Sequence, residues 1–250
     1  MKVAFLGATK GMGRALARLM AERGDGLFLL GRDVPDLERS ARDLEARAPS
    51  SGAPARAVGT ASCDLEKPET FAPALAAAEA ALGGLDAVVV TAGAFATQDA
   101  LEGDPALTQR VLTVDFAHTV LFCEEARRRL MARGGGTLCA FSSVAGDRGR
   151  KPVVLYGAAK AGLSHYLEGL DHRFHAQGLR VVCVKPGFVR TSMTEGLPAP
   201  PFAGEPEGVA RAVLRAIDRG TPVVYAPAIW QLVMAVIRML PRFVMRKIGF

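Results

Sequence analysis

The first 32 residues carry the pattern that most restricts the fold of this chain, because two apolar runs flank a glycine turn and a helix. Residues 2–6 form the first run, residues 14–23 repeat apolar side chains at helical spacing, and residues 27–30 form the second run. The turn before the helix contains Gly7, Gly11 and Gly13. A glycine turn lets the backbone approach a pyrophosphate, and a helix N-terminus attracts its negative charge. This βαβ pattern therefore predicts a dinucleotide site.

The rest of the chain continues to alternate short apolar runs with amphipathic segments. Strands are predicted over residues 55–63, 85–90, 137–141, 179–184 and 221–225, and helices over 34–48, 68–82, 105–133, 156–177 and 207–219. A loop is predicted over residues 49–54. Uninterrupted apolar runs are typical of parallel strands that are covered on both faces. We therefore predict an α/β fold, a Rossmann-type doubly wound and mostly parallel sheet of seven strands with helices on both faces, followed by an apolar C-terminal helical extension.

Composition favours a globular chain without an internal boundary, since 50% of the 250 residues are apolar and 22% are charged. We expect one dinucleotide-binding domain over residues 1–250, in which residues 228–250 form a hydrophobic and basic extension. The net charge of +6 comes from Lys and Arg spread along the chain, and no module that reads DNA or RNA accompanies them. An anionic cofactor is therefore expected, and no nucleic-acid partner.

Cysteine and histidine usage gives no sign of a metal site. Cys63, Cys123, Cys139 and Cys183 lie far apart in apolar contexts, which predicts buried free thiols of a reducing compartment. His165, His172 and His175 share a helix without further ligands at metal spacing. The first apolar run ends at Gly7, so no signal peptide is expected, and no run approaches the ~20 residues of a membrane span. These features predict a cytoplasmic protein without a metal.

The residues after the second strand indicate which dinucleotide binds. An acidic residue there bonds the ribose hydroxyls of NADH, whereas an arginine meets the 2′-phosphate of NADPH. Here Arg32 follows Gly31, and Lys10 in the glycine turn is a second cation within reach of the same phosphate. We therefore predict NADP(H). In the alternative, Arg32 is a solvated surface charge and Asp33 takes the ribose.

Two motifs resemble those of the short-chain dehydrogenase/reductase family. The glycine spacing G-x-x-x-G-x-G is similar to the family's usual opening T-G-x-x-x-G-[IL]-G, with Leu6 in place of the threonine. Further along the chain, Ser143, Tyr156 and Lys160 match the family's catalytic pattern S-x12-Y-x3-K. The resemblance covers about residues 1–225. It implies an oxidoreductase that commonly forms a dimer or a tetramer.

The chemistry of these three residues suits reduction of a ketone. Tyr156 and Lys160 are four residues apart on a helix, so their tips reach the same site. An ammonium about 4 Å away favours a phenolate by roughly 4 kcal/mol at an effective dielectric constant near 20. We therefore expect Lys160 to lower the pKa of Tyr156 from its usual ~10 toward 7. Ser143 would hold the substrate oxygen toward Tyr156, whereas Ser142 has the wrong spacing.

The resemblance also implies a set of cofactor contacts. The implied cofactor residues are Gly7, Thr9, Lys10, Gly11, Met12, Gly13, Arg32, Asp64, Leu65, Ala92, Gly93, Tyr156, Lys160, Pro186, Gly187, Val189 and Thr191. Asp64 would contact the adenine ring, although capping of the helix that follows Pro68 is an alternative role. Residues 91–93 read T-A-G, which resembles the family's N-N-A-G without its asparagines. Thr191 ends a segment similar to the family's P-G-x-V-x-T, and the chain after it, residues 192–206, is rich in Pro and Gly as a substrate lid would be.

Asp115 occupies the position of an asparagine in the family's catalytic tetrad. That asparagine holds a water in a proton path behind the lysine. Asp115 is nearly isosteric and accepts the same hydrogen bonds, but as a carboxylate it donates none and brings a charge. The resemblance makes Asp115 the fourth catalytic residue. The alternative is an ordinary hydrogen-bonded residue in the middle of a helix.

The C-terminal segment departs from the family pattern. Residues 228–240 are almost wholly apolar, and the polar members Gln231 and Arg238 share one narrow stripe. Four cations fall within residues 238–247. A wide apolar face beside clustered cations favours a helix that lies on an anionic membrane surface, on the inner face of the membrane. The alternative is a helix buried in a dimer interface or over the substrate pocket.

Together these features predict an NADPH-dependent reductase that transfers hydride to the ketone of a hydrophobic substrate, such as a long-chain or lipid-linked one, and that runs in reverse as an alcohol dehydrogenase. One alternative is the keto-reductase component of a sugar-lipid epimerase. The other is a dinucleotide-binding regulatory or scaffold protein with little catalysis, which Asp115 and the altered T-A-G motif would suit.

Overall fold

A single parallel sheet organises the computed structural model, which describes residues 1–48 and 58–249. Its strands are β1 (Lys2–Leu6), β2 (Gly26–Gly31), β3 (Gly59–Ser62), β4 (Ala87–Val90), β5 (Gly136–Phe141), β6 (Leu179–Pro186) and β7 (Val223–Ala226). They are ordered β3-β2-β1-β4-β5-β6-β7, and each neighbouring pair is parallel. The predicted doubly wound sheet is confirmed. The loop predicted over 49–54 lies outside the described residues, as does the first part of the strand predicted over 55–63.

The helices that cover the sheet follow the predicted segments with one interruption, and one further short helix, over Gln98–Gly103, was not predicted. They are α1 (Gly11–Glu22), α2 (Val34–Arg47), α3 (Phe71–Leu82), α4 (Gln98–Gly103), α5 (Pro105–Leu112), α6 (Thr119–Ala132), α7 (Val154–Phe174), α8 (Pro206–Arg219), α9 (Ile229–Met239) and α10 (Arg242–Met245). A π-helical turn over Thr113–His118 joins α5 to α6, where a single helix is predicted. Such turns are rare and often accompany functional sites. This one carries Asp115.

Both faces of the sheet are buried because alternate residues of each strand enter different cores. In β1, Val3 and Phe5 pack with α1, α2 and α8, whereas Ala4 and Leu6 pack with α3, α6 and α7. None of these four side chains is more than 1% exposed. Burial of a side chain the size of Leu or Phe contributes about 1.5–3 kcal/mol. The sheet is therefore held rigidly between two helical layers.

The crevice of this fold lies between β1 and β4. The chain leaves β1 toward β2 and β3 on one side, and it then crosses to β4 on the other side. Loops that diverge in this way open a crevice at the carboxyl ends of the strands. Gly7 follows β1 and Thr91 follows β4, so the glycine turn and the T-A-G motif meet there.

Close backbone packing makes two glycines of the first turn indispensable. Gly7 has a φ of +98°, and a Cβ atom there would lie 2.5 Å from the nitrogen of Ala92. A Cβ atom at Gly13 would lie 2.2 Å from the carbonyl oxygen of Gly7. Real Cβ atoms do not approach backbone so closely. The N-terminus of α1 is therefore pressed directly against the turn that it follows.

The C-terminal extension forms α9 and α10, and one side of α9 is buried. Trp230, Met234 and Ile237 pack against Val144 and Phe188, which lie beyond the ends of β5 and β6. Two cations of the loop after β5 also bond extension carbonyls, Arg148 to Leu240 at 2.9 Å and Lys151 to Arg246 at 2.7 Å. Among the helices of residues 1–48 and 58–249, none has both the length and the apolar character that a bilayer crossing requires.

Replacing Gly13 with alanine tests the packing of the turn. We expect Gly13→Ala to lower the free energy of unfolding by about 1–3 kcal/mol, because the added methyl must displace backbone. Gly169→Ala in α7 is the matched control, since a Cβ atom at that exposed position meets nothing within 4 Å. It should be neutral or stabilise by about 0.5–1 kcal/mol. Urea unfolding measures both, and equal effects would contradict the close packing.

Candidate active site

An open groove of about 610 Å³ lies at the carboxyl ends of β1 to β4. Most of the predicted cofactor residues line it, and these are Gly7, Thr9, Lys10, Gly11, Met12, Gly13, Arg32, Asp64, Leu65, Ala92, Gly93 and Thr191. Residues from the ends of several strands thus converge on one elongated cavity. Such a shape, with backbone exposed along the glycine turn, fits a dinucleotide.

The glycine turn is tied to the loop after β4. The hydroxyl of Thr91 donates a hydrogen bond to the carbonyl oxygen of Gly7 at 2.9 Å. The T-A-G motif therefore keeps a polar link at the place where the family has asparagine. At Gly11, a Cβ atom would lie 3.2 Å from the methyl group of Thr191. Thr191 therefore lies directly against the glycine turn.

Cations line the end of the groove beside β2, and each has an acidic partner. Arg32 lies 3.5 Å from a carboxylate oxygen of Glu66, and Arg110 of α5 lies 2.7 Å from the same oxygen. The ammonium of Lys10 lies 3.4 Å from Asp36. Glu66 and Arg110 also line the groove, and neither was predicted as a groove residue. Glu66 has a sequence signal, because it directly follows Asp64 and Leu65, whereas nothing local marks Arg110.

Two aspartates at this end accept hydrogen bonds from nearby backbone N–H groups. Asp33 accepts a hydrogen bond from the backbone N–H of Asp36 at 3.0 Å and so begins α2. Asp64 accepts from the N–H of Glu66 at 3.0 Å. The alternative in which Asp64 caps the helix after Pro68 is wrong, because the residue preceding that helical segment is Lys67 and it makes no side-chain cap.

Lys160 is buried in the middle of the predicted catalytic group. Its side chain lies on α7, one turn beyond Tyr156, and the residue is only 5% exposed. The ammonium donates a hydrogen bond to the carbonyl oxygen of Phe141 at 3.3 Å and lies 3.8 Å from a carboxylate oxygen of Asp115. It is 5.7 Å from the centroid of the Tyr156 ring. The structure therefore brings Tyr156, Lys160 and Asp115 together.

Asp115 is the most buried polar residue of the site, with 0% exposure. Its Oδ1 atom accepts a hydrogen bond from the N–H of Ala94 at 2.7 Å, whereas Oδ2 has no partner among the described residues. Burial raises the pKa of this carboxyl, and the charge of Lys160 opposes the rise. A Cβ atom at Gly93 would lie 2.8 Å from Oδ1, so this glycine makes room for Asp115.

The pKa of Tyr156 differs from the sequence expectation. Burial raises the pKa of the phenol above its usual value, the charge of Asp115 raises it further, and the hydroxyl of Ser143 opposes both. The expected fall toward 7 assumed an unshielded ammonium about 4 Å away. Lys160 instead has Asp115 beside it, and the negative charge of Asp115 opposes the effect of the ammonium at the phenol. Tyr156 is therefore a phenol that holds its proton.

The two serines after β5 have different surroundings. Ser143 is partly exposed, and its Oγ accepts a hydrogen bond from the N–H of Ala145 at 3.1 Å. Ser142 is buried and donates to the carbonyl oxygen of Lys160 at 2.9 Å. Its hydroxyl also lies 2.7 Å from that of Ser164. Ser142 thus fixes β5 to α7, and Ser143 is left beside Tyr156.

Several predicted cofactor residues lie outside the groove itself. Tyr156 lies next to the groove and contacts the groove residue Phe95. The two rings meet edge-on, with 5.1 Å between their centroids. Lys160 lies deeper. The segment after β6 packs against other parts of the protein and does not line the groove. Gly187 lies against the indole of Trp230, and Val189 is buried in the core. Pro186 ends β6 and is likewise buried.

The four cysteines are buried and free, as the sequence predicts. Burial raises the pKa of Cys63 and of Cys123 to about 12, and that of Cys183 to about 11. Thiols in this state are unreactive. Within the described ranges, no group of three or more His, Cys, Asp or Glu side chains is placed to hold a metal ion.

A doubly wound sheet with a glycine-lined groove beside a Ser–Tyr–Lys group defines a dinucleotide-dependent oxidoreductase. The family model described as short chain dehydrogenase matches residues 2–200. The chain therefore belongs to the short-chain dehydrogenase family, whose members typically bind a nicotinamide cofactor and act on CH–OH or C=O groups.

Individual relatives agree with this assignment. The chain is 34% identical over 245 residues to an uncharacterised oxidoreductase of Mycobacterium tuberculosis, covering 98% of this chain and 96% of the relative. It is 33% identical over 196 residues to the cis-4-hydroxycyclohexanecarboxylate dehydrogenase of Sinomonas cyclohexanicum, covering 77% and 75% of the two chains. A short-chain dehydrogenase/reductase structure from Mycobacterium ulcerans shares the fold, with a TM-score of 0.79 at 23% identity over 89% of this chain and 86% of that one.

The electrostatic influence of Asp115 on Tyr156 is directly measurable. We expect Asp115→Asn to lower the pKa of Tyr156, because the substitution removes a neighbouring negative charge. Asp147→Asn is the matched control, since the hydrogen bond and charge of Asp147 raise the pKa of Tyr225 instead. Nuclear magnetic resonance of tyrosine labelled at Cζ follows each phenol. A pKa of Tyr156 that is unchanged by Asp115→Asn would contradict this electrostatic account.

Proposed function

We propose that the chain is an NADPH-dependent reductase that transfers hydride to the ketone of a hydrophobic substrate and that also catalyses the reverse oxidation. The observation that carries this proposal is the gathering of Ser143, Tyr156 and Lys160 beside the glycine-lined groove. The two motifs are far apart in sequence, and the fold brings them to one crevice.

The groove suits the cofactor in shape and in charge. Gly11, Met12 and Gly13 at the N-terminus of α1 line the groove, so the backbone N–H groups there can meet a pyrophosphate. Arg32 and Lys10 are exposed at the end of the groove where a 2′-phosphate would lie. Asp33 is engaged as a helix cap, which disfavours its use as a ribose ligand. These features support NADPH over NADH.

The catalytic side chains have complementary tasks in reduction. The bound nicotinamide cofactor supplies the hydride. Tyr156 donates the proton to the developing alkoxide, and its raised pKa keeps the phenol protonated at neutral pH. Ser143 donates a hydrogen bond to the substrate oxygen and holds it in line with the phenol.

Lys160 and Asp115 act behind Tyr156 in this proposal. Lys160 places a cation 5.7 Å from the centroid of the tyrosine ring, where it stabilises charge that develops on the phenol as the proton leaves. Asp115 holds the ammonium and accepts the N–H of Ala94, which orients the loop after β4. In this role the carboxylate of Asp115 replaces the side-chain amide of the family's asparagine.

The walls near Tyr156 support a hydrophobic substrate. Phe95 contacts the tyrosine ring, and Phe188, which follows β6, is partly exposed. In the segment 192–206, Met193 is 46% exposed and Phe202 is 59% exposed. We assign this segment as the substrate lid. The name of the Sinomonas relative, a hydroxycyclohexanecarboxylate dehydrogenase, supports chemistry at a secondary alcohol or its ketone.

The proposal includes a homo-oligomer and a peripheral membrane contact through residues 228–250. Phe116 and Leu121, 39% and 51% exposed, offer an apolar surface on the π-helical turn and α6 for association of subunits. A hydrophobic substrate partitions into lipid, so an enzyme for it gains from a position at the membrane surface.

Cofactor preference is tested by removing one cation. Arg32→Ala should weaken NADPH binding about 10- to 100-fold and leave NADH binding nearly unchanged, since only NADPH carries the 2′-phosphate. Arg42→Ala on the exposed side of α2 removes the same charge away from the groove and should change neither affinity. Calorimetric titration measures both cofactors. Equal losses for NADPH and NADH would contradict the assignment of Arg32.

Proton donation is tested by removing one hydroxyl. Tyr156→Phe should lower kcat for ketone reduction about 10²- to 10⁴-fold and change the Kd for NADPH far less. The substrates are a panel of acyl, sterol, sphingoid and sugar ketones, followed by NADPH absorbance. Full turnover by Tyr156→Phe would defeat the proposed mechanism. Tight NADPH binding by the wild type without turnover on any ketone would favour a regulatory protein, and turnover confined to polyprenyl-linked sugar ketones would favour the epimerase role.

A further inference from the structure

The helix α9 is apolar on two opposite sides, and the fold buries only one of them. Trp230, Met234 and Ile237 face the protein. The other side, which we term the outer face, consists of Ile229, Leu232, Val236 and Met239 of α9 together with Phe243 of α10, which are 38%, 64%, 54%, 85% and 66% exposed, respectively. The four residues of α9 recur at spacings of three or four, so they form one stripe, and Phe243 lies beyond the break at Leu240 and Pro241. Exposed apolar patches of this kind usually mark a binding surface.

The charge around the outer face has one sign. Arg238, Arg242, Arg246 and Lys247, which we term the basic rim, are all exposed. From Arg219 to Phe250 the sequence contains no Asp or Glu. No side-chain carboxylate within residues 1–48 and 58–249 lies within 4.0 Å of any cation of the basic rim. The surface therefore combines exposed hydrocarbon with positive charge that the chain itself leaves unneutralised.

The apolar stripe and the basic rim together indicate which partner binds the outer face. A second copy of the chain would bring two basic rims together without carboxylates between them, and like charges across an interface are unfavourable. A nucleic acid would neutralise the rim but would leave the apolar stripe without a partner. An anionic bilayer satisfies both parts, because acyl chains accept the stripe and lipid headgroups accept the cations.

We propose that the outer face and the basic rim bind the surface of an anionic lipid membrane, and that the membrane delivers the hydrophobic substrate to the active site. Delivery of the substrate by the membrane rests on the proposed function. The inner side of α9 packs on Val144 and Phe188, which directly follow Ser143 and Gly187. A bilayer on the outer face therefore lies about 10 Å, the diameter of one helix, from the loops that carry these residues.

The lid segment is joined to the same helix. The indole N–H of Trp230 donates a hydrogen bond to the carbonyl oxygen of Phe202 at 3.2 Å. Phe202 adopts a φ of +69°, which is uncommon for a residue other than glycine, and its ring is 59% exposed. A helix seated on a membrane is thus bonded directly to the segment that would cover the substrate.

Binding is tested with the full-length chain and vesicles, in the absence of cofactor and ketone. We expect the chain to sediment with vesicles of phosphatidylcholine and phosphatidylglycerol, to remain in solution with pure phosphatidylcholine, and to release as salt is added. Leu232→Ser with Met239→Ser should weaken binding about 10-fold or more. Val34→Ser removes an exposed apolar side chain from α2, 41% exposed, and should have no effect.

The contribution of charge has its own matched pair of variants. Arg242→Gln with Lys247→Gln should weaken binding to the anionic vesicles by about five-fold per charge removed. Arg211→Gln with Arg215→Gln removes two exposed cations from α8 and should change binding much less. Equal effects of the two pairs would show that only net charge matters, which would overturn the assignment of the surface. Absence of vesicle binding by the wild type would overturn it as well.

Two further measurements separate the remaining outcomes. Light scattering that shows a smaller oligomer for Leu232→Ser with Met239→Ser would make a second copy the occupant and would overturn the proposal. For substrate delivery, vesicles should increase turnover of a bilayer-embedded long-chain ketone by the wild type and not by this variant, whereas turnover of a water-soluble ketone should be equal for both. Because vesicle binding is measured without a reaction, failure of the proposed reductase activity and failure of membrane binding are distinguishable.

Discussion

The buried ammonium of Lys160 is the interaction on which the site depends. A charge at 5% exposure is costly unless it is paired and hydrogen-bonded, and here Phe141 and Asp115 supply the partners. These partners come from the end of β5 and from the π-helical turn, and Asp115 also holds the loop after β4 through Ala94. Three parts of the crevice are therefore positioned by one cation on α7. The π-helical turn carries Asp115 at the point where this pairing requires it.

This pairing also determines the character of Tyr156. A lone ammonium would favour the phenolate, but the negative charge of Asp115 beside it opposes that effect at the phenol. Burial then dominates and raises the pKa, which favours a residue that donates its proton to an alkoxide. In the proposed assignment Asp115 stands where the family has asparagine, and its charge changes the electrostatics of the site while its Oδ1 accepts the hydrogen bond from the N–H of Ala94.

Features that depend on local periodicity could be predicted from the sequence, and features that depend on long-range packing could not. The apolar runs predicted the sheet and its helices, and the spacing of Ser143, Tyr156 and Lys160 predicted their convergence. The ion pair of Glu66 with Arg110 joins residues 44 apart, and the direction of the Tyr156 pKa follows from burial by several elements. Similarly, the sequence of α9 is apolar on most sides, so only the fold distinguishes its buried face from its outer face.

The pH dependence of kcat/KM for ketone reduction by NADPH is the most direct test of the central claim, that Tyr156 donates the proton as a phenol whose pKa is raised. An acid catalyst loses activity as the pH rises through its pKa. The account predicts no decline assignable to Tyr156 between about pH 7 and pH 9, and a decline only at higher pH. A loss of activity centred near pH 7 that follows ionisation of Tyr156 would contradict it.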